Sequence, residues 1–571
     1  MRLFIAEKPS LARAIAEVLP RPHKKEEGCI RAANGDVVSW CIGHLLEQAD
    51  PEAYNPLYKK WQLDHLPISP DEWQLQPKPK TRKQLSVLRK LVKEADQLVH
   101  AGDPDREGQL LVDEVIDYLK TPQTKRRNAQ RLLVSDLNPS AIKRAMGELR
   151  SNSEFIPLSV SALARSRADW LYGINLTRAW TIKGQQAGNR GVLSVGRVQT
   201  PVLGLVVRRD KEIRDFVSKP FYEVQAAIHL NAGQPLSFYA KWHPSEACRP
   251  HQDDEGRVLN PNLAKNVVDR IRQQPAQVKS FDKKPGKQNA PLPYNLSSLQ
   301  IDAAKAFGMA AKTVLDICQS LYEKYQLITY PRSDCRYLPV AHHREMPQVS
   351  AAIQTVIEDA GDMLKHTDKS RKSAAFNDKK VGAHHAIIPT SKKYSGNLND
   401  AEKKIYRLIA RQYLMQFCDA FQYSDTLIEL EIAGGRFIAR ERITLAAGWK
   451  ALMPAREKTS PPLPDLMVGQ MLWSDEPKLD EKHTEPPKHY TDATLLAAMT
   501  GIARYVKDPE LRKVLKDTDG LRTEATRASI IELLFKRKFL QRQGKQIQAT
   551  ETGRQLISVL PDACSQPDMT A

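Results

Sequence analysis

The stretch LVHAGDPDREG at residues 98–108 decides the first domain of this 571-residue chain. Its apolar start, 98–101, is typical of a buried strand, and Asp103, Asp105 and Glu107 follow at alternate positions where the chain leaves that strand. Oxygen ligands gathered in this way suit a hard cation such as Mg²⁺. On this stretch alone, an exposed Asp-Pro turn explains the same residues equally well.

A second stretch, LFIAEKPS at residues 3–10, favours the metal interpretation. It is another short apolar strand that ends in Glu7 and Lys8, and Ser10 has the character of a helix N-cap. Ligands of parallel α/β sheets bind beyond the carboxyl ends of the strands, which is where Glu7 and Asp103 lie. Together the two stretches predict a site for phosphoryl transfer.

Strand and helix patterns alternate from residue 1 to about residue 155. We predict strands near 2–7, 37–41, 97–102 and 131–135, and helices near 10–19, 82–95, 108–120 and 139–150. This alternation indicates an α/β domain with a mostly parallel sheet.

The remaining chain changes character several times. We predict helices over 156–214, β structure over 220–280 with a polar insertion at 243–262, helices over 281–404, β structure over about 423–475, and a Pro-rich surface loop at 459–464. This order predicts one β domain made of two separated pieces, with a helical domain inserted between them.

The segment 491–560 is basic, with 12 Lys and Arg against 6 Asp and Glu between residues 501 and 550. A helix over 526–534 and a small hairpin turning at Gly544 resemble the helix and wing of DNA-binding domains. An ordinary helical subdomain is the alternative.

Composition favours a polyanionic partner. The chain has 86 Lys and Arg against 67 Asp and Glu, a formal net charge of +19. Its seven cysteines are scattered without a CxxC pair, which argues against a zinc ribbon or a disulfide framework. We find no signal peptide and no apolar run of 18 residues, so we expect a cytoplasmic location and no membrane partner.

A nucleophile is suggested by LITYPRSD at residues 327–334. A neutral phenol, with a pKa near ~10, is a poor nucleophile, but a neighbouring guanidinium such as Arg332 can stabilise the phenolate of Tyr330 and bind a phosphate oxygen. The segment AHHAIIPT at 383–390 offers an imidazole at His384, although a packed histidine pair in a turn explains that segment equally well.

Six motifs, in order, resemble the type IA DNA topoisomerases and in particular the bacterial topoisomerase III branch. They are FIAEKPS (4–10), AGDPDREGQLL (101–111), LSVGRVQTPVL (193–203), ITYPRSDCRYLP (328–339), AHHAIIPT (383–390) and TEATRA (523–528). The resemblance covers essentially the whole chain. It implies a multidomain fold, α/β plus α and β domains, in which a toprim domain and a toroidal core surround a central hole.

The resemblance also implies domain boundaries. They are a toprim domain at 1–155, a basic, winged-helix-like DNA-binding domain at 156–215 and 490–571, a β-rich hinge domain at 216–280 and 405–489, and a helical domain carrying the nucleophile at 281–404.

By resemblance, Tyr330 attacks single-stranded DNA to form a 5′-phosphotyrosine, and Glu7 protonates the leaving 3′ oxygen. Lys8, Arg332 and His384 bind or position the phosphate, and Glu7, Asp103, Asp105 and Glu107 bind Mg²⁺. The implied DNA contacts are Arg197, Gln199, Gln319, Glu323, Thr329, Arg522, Thr526 and Arg527. ATP is not expected, because the bond energy is kept in the tyrosine link and the chain has no GxxxxGK[ST] loop.

The insertion at 243–262, with His243, Asp253, Asp254 and Arg257, and the basic loop at 503–522 resemble elements of topoisomerase III that favour decatenation; two idle surface loops are the alternative. The implied partners are single-stranded DNA, catenated or precatenated duplexes, a RecQ-type helicase and a single-strand-binding protein. We expect a monomer, associated with the nucleoid, with a role in chromosome segregation.

Two departures from the family pattern keep other functions open. Arg522 stands where the family usually has glycine, and the chain ends at Ala571, where relatives usually continue, which suggests a fragment or a short form. The alternatives are a relaxing topoisomerase I, disfavoured by the missing zinc ribbons, and an inactivated relative that binds single-stranded DNA. A toprim primase or nuclease is a further alternative, and it is disfavoured because neither enzyme needs the ITYPRSD motif.

Overall fold

The computed structural model describes residues 1–188, 191–382, 384–454, 462–517, 520–521 and 524–570. The chain begins with an α/β region. Its strands are β1 (Arg2–Ala6), β2 (Lys24–Glu26), β3 (Cys29–Arg31), β4 (Val37–Trp40), β5 (Leu46–Gln48), β6 (Leu75–Pro77), β7 (Gln97–Ala101), β8 (Gln130–Arg131) and β9 (Arg150–Ser151). Its helices are α1 (Pro9–Glu17), α2 (Pro51–Tyr54), α3 (Arg82–Glu94), α4 (Arg106–Tyr118), α5 (Gln123–Arg127) and α6 (Pro139–Met146).

Seven of these strands form one sheet in the order β2-β3-β4-β1-β7-β8-β9. The neighbours β4, β1, β7 and β8 run parallel, and the outer strands are antiparallel, which confirms the predicted α/β architecture. Ala6 pairs with Ala101, so β1 and β7 end side by side at the same sheet edge. The two acidic stretches therefore leave the sheet next to each other.

The two faces of β1 bury different clusters. Leu3 and Ile5 pack with residues of α3 and α4, whereas Phe4 belongs to a cluster that also contains Ile328 and Tyr330, far along the chain. This shared core fixes the tyrosine-bearing segment against the α/β region.

Two long helices follow, α7 (Ile156–Gln186) and α8 (Gln199–Arg214). The middle of the chain then forms β10 (Pro220–His229), β11 (Phe238–Trp242), α9 (Pro261–Ile271), β12 (Gln274–Gln288), α10 (Leu296–Phe307), α11 (Ala311–Glu323), α12 (Met346–Gln354), α13 (Ala360–Leu364), α14 (Asp400–Leu414), β13 (Phe421–Ile432), β14 (Gly435–Ala446), β15 (Met471–Ser474) and β16 (Lys478–His483).

The seven strands β10–β16 form a second sheet in the order β11-β14-β13-β12-β15-β10-β16. Strands from 220–288 and from 421–483 therefore share one sheet, and helices α10–α14 lie between them in sequence. β12 continues to Gln288, eight residues beyond the predicted β segment. Its last residues pair with β13 but are largely exposed and basic, so they carry no alternating apolar pattern.

The last region contains α15 (Asp492–Thr500), α16 (Pro509–Asp517), α17 (Glu524–Lys536), β17 (Leu540–Gln543), β18 (Gln546–Ala549), α18 (Glu551–Val559) and α19 (Asp562–Ser565). The predicted helix lies within α17, and the predicted hairpin is confirmed, with Gly544 at φ +60° in its turn. Leu203 of α8 packs in one cluster with Ile531 and Ile547, which joins this region to 199–214.

Three predictions fall wholly or partly on residues outside the described ranges: Arg522, the last part of the basic loop at 503–522, and part of the Pro-rich loop at 459–464. Within the described ranges, we find no helix with the length and apolar character needed to span a bilayer.

Candidate active site

The ends of β1 and β7 bring two acids and a lysine together. The backbone N–H of Asp103 donates to Glu7 Oε2 at 3.1 Å, and Lys8 Nζ donates to Asp103 Oδ2 at 2.8 Å. The predicted juxtaposition of the two stretches is present in the structure.

The loop after β7 folds closely onto the start of α4. Asp105 caps this helix by accepting a hydrogen bond from the N–H of Gly108 at 2.7 Å. A Cβ on Gly108 would lie 2.7 Å from Glu7 Oε2 and would overlap the Asp103 backbone, and one on Gly102 would overlap the carbonyl of Gly108. Both glycines are required by this close approach rather than by backbone dihedrals.

Arg131 holds the acidic loop in place through hydrogen bonds to its backbone. This residue was not identified from the sequence. Its side chain is fully buried and donates to the carbonyl of Gly102 at 2.8 Å, the carbonyl of Asp103 at 2.9 Å and Gln109 Oε1 at 2.9 Å. Burial lowers the pKa of its guanidinium to about 10. The only sequence signal was an arginine at the start of the apolar run RLLV at 131–134.

Tyr330 reaches this loop from the distant helical region. Its N–H donates to the carbonyl of Ser135 at 2.8 Å, and its hydroxyl donates to Asp105 Oδ2 at 2.7 Å. The residue is 1% exposed. Backbone and side chain are therefore both fixed by the α/β region.

Two loops of the helical region hold Tyr330 in place. The Thr329 hydroxyl donates to the carbonyl of Ala386 at 3.1 Å and accepts from the N–H of Ile388 at 3.0 Å. The Ser333 hydroxyl donates to the carbonyl of His385 at 2.7 Å. Thr329 is 2% exposed and its hydroxyl is used inside the protein, while the DNA contact there stays a prediction.

Arg332 and His384 flank the phenol. The His384 ring lies 5.7 Å from the Tyr330 ring, and its Nε2 is 3.5 Å from Asp334 Oδ1. Burial lowers the pKa of His384. The buried Nε of Arg332 has no hydrogen-bond partner among the described residues, so this guanidinium retains an unused donor beside the phenol.

The protonation states follow from burial and charge. Burial, then the charges of Asp103 and Asp105, raise the pKa of Glu7 to about 8. Burial and the same acids hold the pKa of Tyr330 well above its usual value. Burial lowers the pKa of the Lys8 ammonium, but the neighbouring acids have the larger combined effect, so its pKa is raised overall. At neutral pH the site thus holds a protonated acid, a neutral phenol and a charged lysine.

Side chains of helix α11 also lie next to Lys8. Glu323 Oε1 lies 3.0 Å from Lys8 Nζ, and the Gln319 amide donates to the same carboxylate. Tyr322, which the sequence did not single out, places its ring centroid 5.5 Å from Lys8 Nζ. Gln319 and Glu323 therefore lie beside the lysine rather than on an open surface.

Asp103 has the donor chemistry that Mg²⁺ uses. Its Oδ1 is buried and lacks a hydrogen-bond partner within the described ranges, and Glu7 and Asp105 lie beside it. Because Mg²⁺ keeps several waters and needs only one or two carboxylates, this arrangement fits the ion.

Other acids are already engaged. Asp105 uses one oxygen for Gly108 and the other for Tyr330, and Glu107 lies 3.5 Å from His44. Among the residues that the structure describes, no three His, Cys, Asp or Glu side chains converge on one point. Of the four predicted metal ligands, Glu7, Asp103 and Asp105 lie beside one another, whereas Glu107 is paired with His44.

The predicted DNA contacts lie in different surroundings. Arg197 donates to Asp169 at 3.0 Å and, with Gln199, lines a cavity of about 660 Å³ between α7, the segment that leads into α8, and α17. Thr526 is half-buried. Arg527 is fully buried and donates to Ser297 Oγ at 2.8 Å and to Glu524. In this structure the guanidinium serves the packing of α17, and its DNA contact stays a prediction.

The insertion at 243–262 is folded onto the second sheet. The N–H of His243 donates to the carbonyl of Arg436 at 2.8 Å, and Arg257 pairs with Asp253 at 2.7 Å and lies over the ring of Phe221. Asp254 is exposed at its tip. These contacts give the insertion a defined shape.

Comparisons with known proteins agree over the whole chain. A family model described as DNA topoisomerase matches residues 153–571, and one described as Toprim domain matches residues 2–137. Proteins named DNA topoisomerase 3 from Vibrio cholerae, Haemophilus influenzae and Salmonella typhimurium are 59%, 57% and 56% identical, respectively. Each alignment covers 100% of this chain and 89%, 89% and 88% of the relative.

A solved structure has the same fold. Full-length topoisomerase I from Thermotoga maritima superposes with a TM-score of 0.68 at 21% identity, over 97% of this chain and 82% of that one. At this identity the likeness concerns the fold alone.

Proposed function

This chain belongs to the type IA DNA topoisomerases, and from that premise we propose that it cuts single-stranded DNA with Tyr330, passes DNA through the break and rejoins it without ATP. The observation that carries the proposal is the 2.7 Å hydrogen bond from the Tyr330 hydroxyl to Asp105. It places the only exchangeable proton of the phenol beside a base, in the same buried pocket as Glu7 and Lys8.

In the cleavage step, the Tyr330 oxygen bonds to phosphorus while the bond from phosphorus to the 3′ oxygen breaks. The phenol proton passes to Asp105 Oδ2, and Glu7 gives its proton to the departing 3′ oxygen. Rejoining reverses both transfers. A carboxyl whose pKa is about 8 suits this exchange, because it is close to the working pH.

The cations stabilise the charge that grows on the phosphate. Lys8 and Arg332 bind the phosphate beside Tyr330, and His384 positions the flanking backbone. Lys8 is paired with Asp103 and Glu323, so an entering phosphate must displace these carboxylates.

We propose that Mg²⁺ binds at Asp103, with Glu7, Asp105 and Glu107 nearby. When bound, the ion would neutralise negative charge at the scissile phosphate and order water around it.

Strand passage requires that different domains of the protein hold the two ends of the cut DNA strand. We propose the toprim, DNA-binding, hinge and tyrosine-bearing domains with the boundaries predicted from the sequence, arranged around a central hole. The hinge proposal is supported by the second sheet, whose two chain segments flank helices α10–α14. Bending there would lift Tyr330 from Asp105 and open a gate.

We propose catenated or precatenated duplex DNA as the preferred substrate. The relatives are named DNA topoisomerase 3, and the folded insertion at 243–262 supports a defined DNA contact. Deleting 243–262 should reduce decatenation more than relaxation. An equal loss of both activities would remove the specific role of the insertion.

We further propose a monomer that acts at the nucleoid with a RecQ-type helicase and a single-strand-binding protein. This proposal rests on the family alone.

A covalent-trapping assay tests the chemistry. A single-stranded oligonucleotide labelled on the 3′ side of the cut is mixed with the protein, denatured and run on a protein gel. We expect a labelled adduct with the parent chain and none with Tyr330→Phe, which should still bind DNA because only the hydroxyl is lost. Binding without an adduct in the parent chain would instead indicate an inactivated DNA-binding relative.

A further inference from the structure

Tyr322 occupies a place between the two groups that act on the phosphate. It lies in the last turn of α11 and is fully buried. Its ring centroid is 5.5 Å from Lys8 Nζ and 5.9 Å from the Tyr330 ring, which it meets edge-on at 81°. One side chain thus contacts the ammonium and the nucleophile together.

The hydroxyl of Tyr322 is an unused donor. Its oxygen is buried and has no hydrogen-bond partner among the described residues. Burial, then Asp103 and other nearby acids, hold its pKa well above the usual value, so the group stays protonated. A buried donor without a partner costs folding free energy. A hydrogen-bond partner that is acquired during the reaction would account for the unpaired Tyr322 hydroxyl.

Asp103 offers the complementary acceptor. Its Oδ1 is also buried without a partner in the described part of the chain, while its Oδ2 is held by Lys8. When Lys8 turns to the scissile phosphate, Asp103 Oδ2 loses this donor, while Oδ1 stays the oxygen that we propose for Mg²⁺. A buried carboxylate that loses its ion-pair partner is strongly destabilised unless another donor replaces it.

We propose that Tyr322 is a positioning residue of the cleavage step: its ring supports the Lys8 ammonium, and its hydroxyl donates to Asp103, directly or through one water, when Lys8 moves to the phosphate. This inference rests on the proposed function, because it assumes that Lys8 binds the scissile phosphate. The aromatic face keeps the cation in place while its carboxylate partners are exchanged.

Two substitutions separate the ring from the hydroxyl. Tyr322→Phe keeps the ring and removes the donor, and Tyr322→Leu removes both. Tyr406→Phe is the matched control, because Tyr406 is also fully buried with an unpartnered hydroxyl in the described structure, but it lies in the apolar core of α14. The two Phe variants should retain the melting temperature of the parent, whereas Tyr322→Leu should lower it because the smaller side chain leaves a cavity.

The decisive readout is single-turnover adduct formation at saturating protein, with single-strand affinity measured separately by anisotropy. We expect Tyr322→Phe to bind DNA like the parent but to form the adduct about tenfold more slowly, the effect of one hydrogen bond to a charged group. Tyr322→Leu should be slower still, and Tyr406→Phe should be unchanged. A purely structural role would lower stability and affinity instead.

A double substitution adds a second test. If the hydroxyl acts through the carboxylate, Tyr322→Phe should slow the reaction of an Asp103→Asn protein much less than it slows the parent. A parental adduct rate in Tyr322→Phe, or an equal slowing by Tyr406→Phe, would overturn the proposal. If the parent itself formed no adduct, the proposed function would fail first, and this inference would fall with it.

Discussion

The Tyr330 hydroxyl donates to Asp105 Oδ2 at 2.7 Å across a sequence separation of 225 residues. The same carboxylate caps α4 through the N–H of Gly108. Asp105 therefore links the start of a helix in the α/β region to Tyr330, the proposed nucleophile, in another region. The link makes Asp105 the nearest base to the phenol proton.

Asp105→Asn separates these two roles. Asparagine is as good an N-cap as aspartate, so α4 should persist, but the amide is not a base. We expect the rate of adduct formation at saturating Mg²⁺ to fall by about 10²-fold or more, the usual loss of a general base. Asp508→Asn changes the N-cap of α16 in the same way and should leave the rate unaltered. A parental rate in Asp105→Asn would remove its role as proton acceptor.

Glu7→Gln tests the assignment of the leaving-group acid. With ordinary DNA we expect adduct formation to fall by about 10²-fold or more, because the 3′ oxygen must leave unprotonated. A substrate with sulfur in place of that bridging oxygen needs no proton, and it should restore the rate of Glu7→Gln. It should not restore Asp105→Asn, whose defect lies in the nucleophile. If sulfur failed to rescue Glu7→Gln, this carboxyl would act in some other way.

Gly108→Ala tests the close packing of the acidic loop. The added Cβ would lie 2.7 Å from Glu7 Oε2 and would overlap the Asp103 backbone. We expect a lower melting temperature, a destabilisation of about 1–3 kcal/mol and a strong loss of adduct. Gly361→Ala, in α13 and with no described atom within 4 Å of the new Cβ, is the matched control and should be neutral or slightly stabilising. Equal behaviour of the two variants would contradict the packing argument.

Arg527→Met distinguishes a structural arginine from a DNA contact. The substitution leaves Glu524, which is 3% exposed, without its ion-pair partner, and this should cost about 3–5 kcal/mol of stability. Calorimetry should show a clear drop in melting temperature. Arg197→Met, at the edge of the large cavity, should instead weaken single-strand binding and leave the melting temperature nearly unaltered. A stable Arg527→Met protein with weak DNA binding would support the sequence-based prediction.

The buried pair His342 and His385 predicts acid sensitivity. Burial lowers the pKa of His342 to about 4 and of His385 to about 3, and their rings lie 4.6 Å apart. Between the usual histidine pKa of about 6.5 and these values, the unfolded chain binds more protons than the folded one, so stability falls as the pH falls. The charged groups facing His342 are Glu345, at 4.0 Å, and Arg144.

His342→Phe should reduce this acid sensitivity. We expect the melting temperature of the parent to drop steadily as the pH falls from about 6.5 to about 4, and His342 alone should account for about 2–3 kcal/mol of lost stability across that range. The variant should show a shallower drop over the same range. Parallel curves for the two proteins would show that other groups cause the acid response.

The α/β region could be predicted well because its strands and site residues are adjacent in the sequence. Glu7 and Asp103 follow apolar runs directly, and parallel strands bring such positions to one sheet edge. Tyr330 was identified through a family motif, but its hydrogen bond to Asp105 depends on the packing of two distant regions, which no local pattern encodes.

Other features left little trace in the sequence. Arg131 and Tyr322 act from buried positions, where an arginine or a tyrosine looks like an ordinary member of a strand or helix. Arg527 carries two signals: the family motif implied a DNA contact, whereas its ion pair with Glu524, three residues earlier, gives it a role within α17. The end of β12 was missed because exposed strands carry no apolar alternation.

The contact between Tyr330 and Asp105 has a consequence for proteolysis of the enzyme. The phenol and the base beside it come from segments 225 residues apart, and neither segment contains both. A proteolytic fragment that keeps Tyr330 but loses the first region has a nucleophile without an acceptor for its proton, and the complementary fragment has no nucleophile. On the proposed mechanism, neither fragment alone can break a DNA strand.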